Sequence, residues 1–375
     1  MNNKTNKWIS TVSLLLVFSL LIFLGWYFSA ITAYIIISLI IVLLCLPIKH
    51  LLKKIHFKRF RIGNTSASAL SLVIVGGVLF GLFALLFVPL TKQIKQITEL
   101  EQTDFEQFNQ TLVQANHLLQ EYSILEEGEN LEQIITTSTL NYFRNINLSS
   151  TFNSVFQWIG GLFLGIFSVL FISFFLLKDV PRLKRVAVKM VPTERQSKTA
   201  LILDRSKSLL SNYFVGLFVE MLIITVLQYV MLILLGIENA LLISVIGGVL
   251  VIVPYIGVVI ACVAGCLIGV LSAFTANGEV NTAVILWKVL SAIVFCRLLD
   301  SFILQPYIAA KSVKAHPLEI FIVVLVSGSL AGVTGMILGI PAYTVIRIIA
   351  MEFFEDNNFV KTVTQSLSVA EKEKM

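Results

Sequence analysis

Charge is scarce in this chain. Asp, Glu, Lys and Arg make up 13% of its 375 residues against 57% hydrophobic, with a mean hydropathy of +0.89. A soluble domain carries roughly a quarter charged residues, so a water-soluble fold of this length could not cover its surface. The usual catalytic signatures are missing too. There is no Walker sequence, no HExxH and no GxSxG, which leaves no ATP-hydrolysing, zinc-peptidase or serine-hydrolase constellation. An intramembrane protease would need a defined nucleophile or metal set, and none is visible. The chain reads as a non-enzyme without cofactor or metal. The net charge of +6 is not arranged as a basic stripe with interleaved aromatics, so nucleic acid is not an expected partner. Cysteines are few: Cys45, Cys262, Cys266 and Cys296, all inside apolar runs. Cys262 and Cys266 share a helix face at i,i+4. Either they pack as small apolar residues or they form a soft-metal pair, although no His or third thiol stands nearby.

What the sequence has in abundance is apolar runs long enough to cross a bilayer, about 20 residues each. The first two, Trp8 to Phe28 and Ile31 to Leu46, follow one another closely; the first is long for a cleaved signal peptide. Then comes a stretch without an acid, Lys49 to Arg61, containing Lys53, Lys54, Lys58 and Arg59. By the positive-inside rule it is cytoplasmic, and an interfacial helix on anionic lipid is a possible form for it. A third span covers about Ala67 to Pro89, with Gly77 and Gly81 spaced for close helix packing. Residues 91–152 form the one large polar stretch, rich in acids from Glu99 to Glu132 and carrying amphipathic leucines. It reads as an extracytoplasmic helical insert: a solvated cap, an oligomer contact or a cover over the pathway. The fourth span, about Phe152 to Leu177, carries Gly161 and Gly165. It leads into a second basic loop that Pro181 and Pro192 are expected to break into short pieces. The fifth span runs from about Tyr213 to Leu235.

The C-terminal half is punctuated differently. Ala240 to Phe274 is apolar but interrupted by Pro254 and Gly257. Proline removes a helical hydrogen bond and clashes with the preceding turn, so the two halves are expected to fold back on each other, each too short to cross. An intact span, about Ala283 to Leu304, follows. A second interrupted stretch, Leu318 to Ile349, carries Gly328, Gly332, Gly335, Gly339 and Pro341 at its centre. Two interrupted segments flanking an intact one are the pattern of broken-helix transporters. Main chain freed inside a membrane has to be satisfied by protein, water or solute. Two proline-kinked hairpins without a solute site are the alternative. The expected fold is therefore all-α: a polytopic membrane protein with about six full spans plus two broken or re-entrant helical hairpins. Its expected layout is three N-terminal spans (1–90), the insert (91–152), the fourth span with its basic loop (153–212), a transport unit (213–350) and a tail (351–375), both termini being cytoplasmic.

Few ionisable residues lie deep in these runs. Glu220 is in the fifth span; Arg297 and Asp300 stand at i,i+3 near the inner end of a later one. Such groups face a partner or a wet cavity. Two roles stay open for them: an intrahelical ion pair that fixes packing, or a solute or coupling-ion site.

Three runs carry a resemblance: Val253-Pro254-Tyr255-Ile256-Gly257; Asp300 to Ile308 with Gln305-Pro306-Tyr307, followed by Lys311 and His316-Pro317; and Gly335-Met336-Ile337-Leu338-Gly339-Ile340-Pro341. In this order, and with the same layout over nearly the whole chain, they resemble the AI-2E family of bacterial transporters. That resemblance implies export of autoinducer-2 for some members and sodium/proton antiport for others. It also implies a homo-oligomer, a pentamer, in the lipid of the cytoplasmic membrane, with re-entrant hairpins around Pro254 and around Gly335–Pro341. Val258 stands where many members have proline, and Ala309-Ala310 precede Lys311 where a glycine is usual; both departures fall on hairpin detail. The candidate pathway residues are Glu220, Pro254, Tyr255, Gly257, Arg297, Asp300, Gln305, Pro306, Gly335 and Pro341, with a small polar solute as the expected cargo.

Overall fold

The computed structural model describes Ser19, Phe23, Gly25 and residues 27–54, 56–57, 60–61, 63–98, 148–277, 282–305 and 316–353. The first apolar run, most of the polar insert, Pro306 and the C-terminal tail lie outside the described residues. Among these, seven helices are long and apolar enough to cross a membrane, and the fold is all-α apart from one two-residue β-hairpin. Two compact units form: one from Met1–Val75 and Ser154–Ala187, the other from Gly76–Asn153 and Val188–Met375.

In the first unit, helix α1 (Ser29–Lys54) contains Pro47 and ends on Lys53 and Lys54. The Lys49 ammonium is buried and donates to the Leu177 carbonyl at 2.6 Å, which offsets the cost of removing it from water. The basic stretch that follows is no interfacial helix. Its described residues pair as a short antiparallel ladder, β1 (His56–Phe57) against β2 (Phe60–Arg61), with His56 opposite Arg61. Helix α3 (Leu148–Lys189) packs on α1 where Gly165 admits the Tyr34 ring; an added Cβ would stand 3.4 Å from its hydroxyl. The Ser38 hydroxyl reaches the Val169 carbonyl across the same seam at 3.1 Å. Helix α2 (Asn64–Thr98) starts in this unit and ends in the other. Its Gly77 and Gly81 meet no atom within 4 Å among the described residues.

The second basic region is helical rather than a broken loop. Helix α3 passes through Pro181 without ending. After Met190–Pro192, helix α4 (Thr193–Leu234) begins with Pro192 at its N-cap. Proline at a helix start costs nothing in hydrogen bonds, because the first N–H groups have no intrahelical partner. Helix α4 has 42 residues, about 63 Å, twice the hydrocarbon core of about 30 Å. Its charged first half therefore projects beyond the apolar second half.

The first interrupted stretch is a helical hairpin. Helix α5 (Ala240–Val249) tightens into a 3-10 turn at Leu250–Ile252. Val253 is extended (φ −97°, ψ 102°), as the proline after it demands. Tyr255 takes φ 63°, and helix α6 (Ile256–Asn277) runs back. Gly257 is required at the turn because a Cβ there would collide with the Leu250 carbonyl. Ile243 of α5 packs on Gly265 and Gly269 of α6, so the arms are antiparallel about Pro254. Only the first arm is short. Its 240–252 span is about 20 Å long, whereas the 22 residues of α6 reach about 33 Å and could cross.

Helix α7 (Thr282–Leu299) continues as a π-helical turn, Asp300–Leu304. Helix α8 (Pro317–Phe353) is the second hairpin, but Pro341 is not its tip. The chain turns at Ala331 (φ −140°, ψ 22°) and Gly332 (φ 58°, ψ −142°), a left-handed position that glycine occupies without steric cost. Gly335 then lies against the Ser327 backbone and Gly339 against its side chain, while the Tyr343 hydroxyl donates to Glu319 Oε2 at 2.8 Å. Pro341 lies buried inside the return arm. This hairpin repeats the first in plan: a short arm, 317–330, then a longer one, 333–353.

Candidate functional site

Four of the expected residues meet: Glu220, Arg297, Asp300 and Gln305. Glu220, on the apolar half of α4, and Asp300, on α7, are both buried, at 5% and 0% exposure. Their carboxyl groups are neighbours in this buried site. The Arg297 guanidinium donates to Asp300 Oδ2 at 3.4 Å through one nitrogen and to the Gly247 carbonyl at 3.3 Å through another. It thus ties the carboxylate to the main chain of α5. Gln305 Nε2 also donates to Asp300 Oδ2, at 3.3 Å, which leaves Asp300 Oδ1 buried without a donor. Asp300 opens the π turn, and the Gln305 backbone N–H reaches back to the Asp300 carbonyl. Single π turns inside α-helices recur at functional sites, where they re-aim a side chain.

With both acids ionised the group carries two negative charges and one positive. Like charges at this distance repel strongly in a low-dielectric interior. One proton held by the pair would bring the group to neutrality. The arrangement can exchange a proton or hold a small cation, and Arg297 joins it to the Gly247 carbonyl.

The other expected residues lie elsewhere. Pro254, Tyr255 and Gly257 form the tip of the first hairpin, with the Tyr255 ring edge-on to Phe321 of the second (centroids 5.1 Å, 87°). Gly335 and Pro341 belong to the return arm of the second. Cys262 and Cys266 pack against an apolar cluster of Leu232, Ile243, Val289 and Ile293, and no group of metal-binding side chains forms among the described residues.

Two polar features were missed from the sequence. Thr225 and Gln228 face Gly248 and Gly247 so closely that a Cβ on either glycine would collide with them. Their sequence signal was slight: with Met221 they stand at i,i+4,i+7 in an otherwise apolar helix. At the root of the first hairpin, Asn239 (φ 51°) does not cap α5. Its side-chain amide donates instead to Gln93 Oε1 and, at 2.9 Å, to the Ser272 hydroxyl.

Apolar spans, two broken hairpins and a buried ionic group bonded to hairpin main chain define a polytopic helical membrane transporter. The family model for AI-2E family transporters matches residues 13–355, and the chain belongs to that family. It is 27% identical to YueF of Bacillus subtilis (strain 168) over 58% of this chain and 56% of that protein. It is also 27% identical to YrrI of the same organism over 49% of each. With MJ1177 of Methanocaldococcus jannaschii identity is 24% over 85% of this chain and 88% of that protein. All three are named as candidate transport proteins. The matches to the two Bacillus proteins span about half of their length.

Proposed function

We propose that the chain exports a small polar solute across the cytoplasmic membrane by alternating access, with the Glu220–Asp300 pair taking up and releasing a proton during the cycle. One observation carries this reading: the buried carboxyl pair is joined through a single guanidinium to the backbone of a broken hairpin. A change of charge at Asp300 alters how firmly Arg297 holds Gly247, so protonation and hairpin position become two descriptions of one equilibrium. Autoinducer-2 is the first candidate solute, on family grounds. In this reading the basic ends of α1 and α3 and both chain termini face the cytoplasm.

The same carboxyl pair favours a second reading, cation/proton antiport, because two acids able to share a proton can instead hold a monovalent cation. Reconstituted vesicles distinguish the two. Under an imposed proton gradient, export predicts autoinducer-2 flux that does not need sodium; antiport predicts sodium-dependent proton movement without added solute. Asp300→Asn and Glu220→Gln should each abolish the gradient dependence of whichever flux is found. Gradient dependence that survives both substitutions would remove the carboxyl pair from the mechanism.

A further inference from the structure

Gln228 is 2% exposed and its side-chain carbonyl oxygen is buried without a donor. Native interiors rarely leave such an atom unpartnered, and the usual explanation is a water, ion or ligand that completes it. The amide lies against bare main chain. A Cβ on Gly247 would run into both its oxygen and its nitrogen, and a Cβ on Gly248 would run into the Thr225 side chain and the Met221 carbonyl. Two consecutive glycines thus let α5 sit directly on the polar face of α4. On the other side of the same glycine, the Gly247 carbonyl accepts from Arg297 at 3.3 Å, so this seam adjoins the ionic group. Thr225 already donates to the Met221 carbonyl at 2.8 Å, and its hydroxyl oxygen remains an acceptor.

We infer that the α4–α5 seam is the solute's binding place, shut in this structure, and that Gln228 is its selecting residue. When the first hairpin draws away from α4, the Gln228 carbonyl and the Thr225 hydroxyl oxygen are uncovered side by side next to Arg297. Two acceptors in an apolar wall select a small solute that presents hydroxyl or amine donors. A solute stripped of those donors would leave the buried oxygens unpartnered and be refused. The inference rests on the transporter reading above and adds the location and the chemical preference of the site.

Two measurements on the full chain in vesicles test it. In a chain with its four cysteines replaced by alanine, Thr225→Cys and Gly248→Cys are introduced together. A Cβ at Gly248 would stand 3.0 Å from that of Thr225, nearer than the roughly 3.5–4.5 Å of a relaxed disulfide, so a slight easing of the seam lets the bridge close. The bridge should form, stop autoinducer-2 flux, and release it on reduction. A bridged chain that transports at full rate overturns the inference. Separately, Gln228→Leu, of similar shape but without the oxygen, should raise the half-saturating autoinducer-2 concentration about tenfold, or about 1.4 kcal/mol. The maximal rate and the proton dependence should be kept. Lower thermal stability with an unchanged half-saturating concentration would make Gln228 a purely structural residue holding internal water. The failure of the transporter reading looks different: wild-type vesicles would carry neither autoinducer-2 nor a cation, and the inference would fall with it.

Discussion

Gly332 and Tyr255 both turn the chain with a positive φ, at opposite steric cost. Glycine adopts that region freely, so Gly332→Ala should destabilise the second hairpin by about 1–2 kcal/mol, seen as a lower unfolding temperature in detergent. Tyr255 bears a cost of the same size, about 1–2 kcal/mol, and its edge-on contact with Phe321 returns about 0.5–1.5 kcal/mol. Phe321→Ala should therefore cost more than the loss of one exposed phenylalanine, and Tyr255→Gly less than the loss of a ring pair. Thermal unfolding of the two variants checks the order. Pro254 and Pro341 separate in the same way. Pro254 imposes the extended conformation of Val253 that ends the first arm, so Pro254→Ala should weaken transport; Pro341→Ala, inside a helical arm, should leave both hairpin turns in place. The sequence could not distinguish these prolines, because a membrane helix accommodates a proline when neighbouring groups satisfy the freed carbonyl. A left-handed glycine among several glycines carries no mark of its own. Asp300, Arg297 and Glu220 were legible because an ion at membrane depth is conspicuous. Thr225 and Gln228 were not, since uncharged polar residues in an apolar helix are common.

Among the elements, α4 was the least legible. Its Lys and Arg residues signal sidedness but do not say whether the segment is a loop or a helix. The helical extension has a structural consequence. The last turn of α8 is clasped by it: Arg205 pairs with the Glu352 carboxylate, the Lys198 ammonium donates to the Glu352 carbonyl at 3.0 Å, and the Arg195 guanidinium lies 6.0 Å from the centre of the Phe353 ring. Cations at a helix C-terminus also complement its dipole. The long arm of the second hairpin and the helix that carries Glu220 are thereby held together. The Glu352 side chain is 7% exposed, so Arg205→Ala removes the cation paired with a buried carboxylate and should cost about 3 kcal/mol. Arg205→Glu and Glu352→Arg should each impair stability and transport, and the double reversal should recover part of both. Additive losses in the double variant would show that the pair does not act as a unit.

Across the second unit, polar and apolar groups alternate in layers along the first hairpin. At its root lie Gln93, Asn239 and Ser272, with the Gln93 amide nitrogen buried and without an acceptor. Next comes the apolar cluster around Ile243, Val289 and Ile293, tightened because Gly265 and Gly269 bring α6 close to all three. Beyond it lie Gly247, Arg297, Asp300 and Glu220. This apolar cluster lies between the polar root and the ionic group, where close packing excludes water. On the alternating-access cycle proposed above, that layer would open once in each cycle. Ile293, fully buried, is the position to watch. In a chain otherwise free of cysteine, Ile293→Cys should react very slowly with a membrane-impermeant thiol reagent at rest. It should react faster when solute and a proton gradient drive turnover. Adding the Thr225–Gly248 disulfide should return the reaction to its resting rate, because the hairpin can then no longer leave α4. Fast labelling at rest would show that the layer is no barrier. Labelling that quickens despite the disulfide would show that the barrier opens without the hairpin, and would separate the gate from the carboxyl pair that Arg297 connects to it.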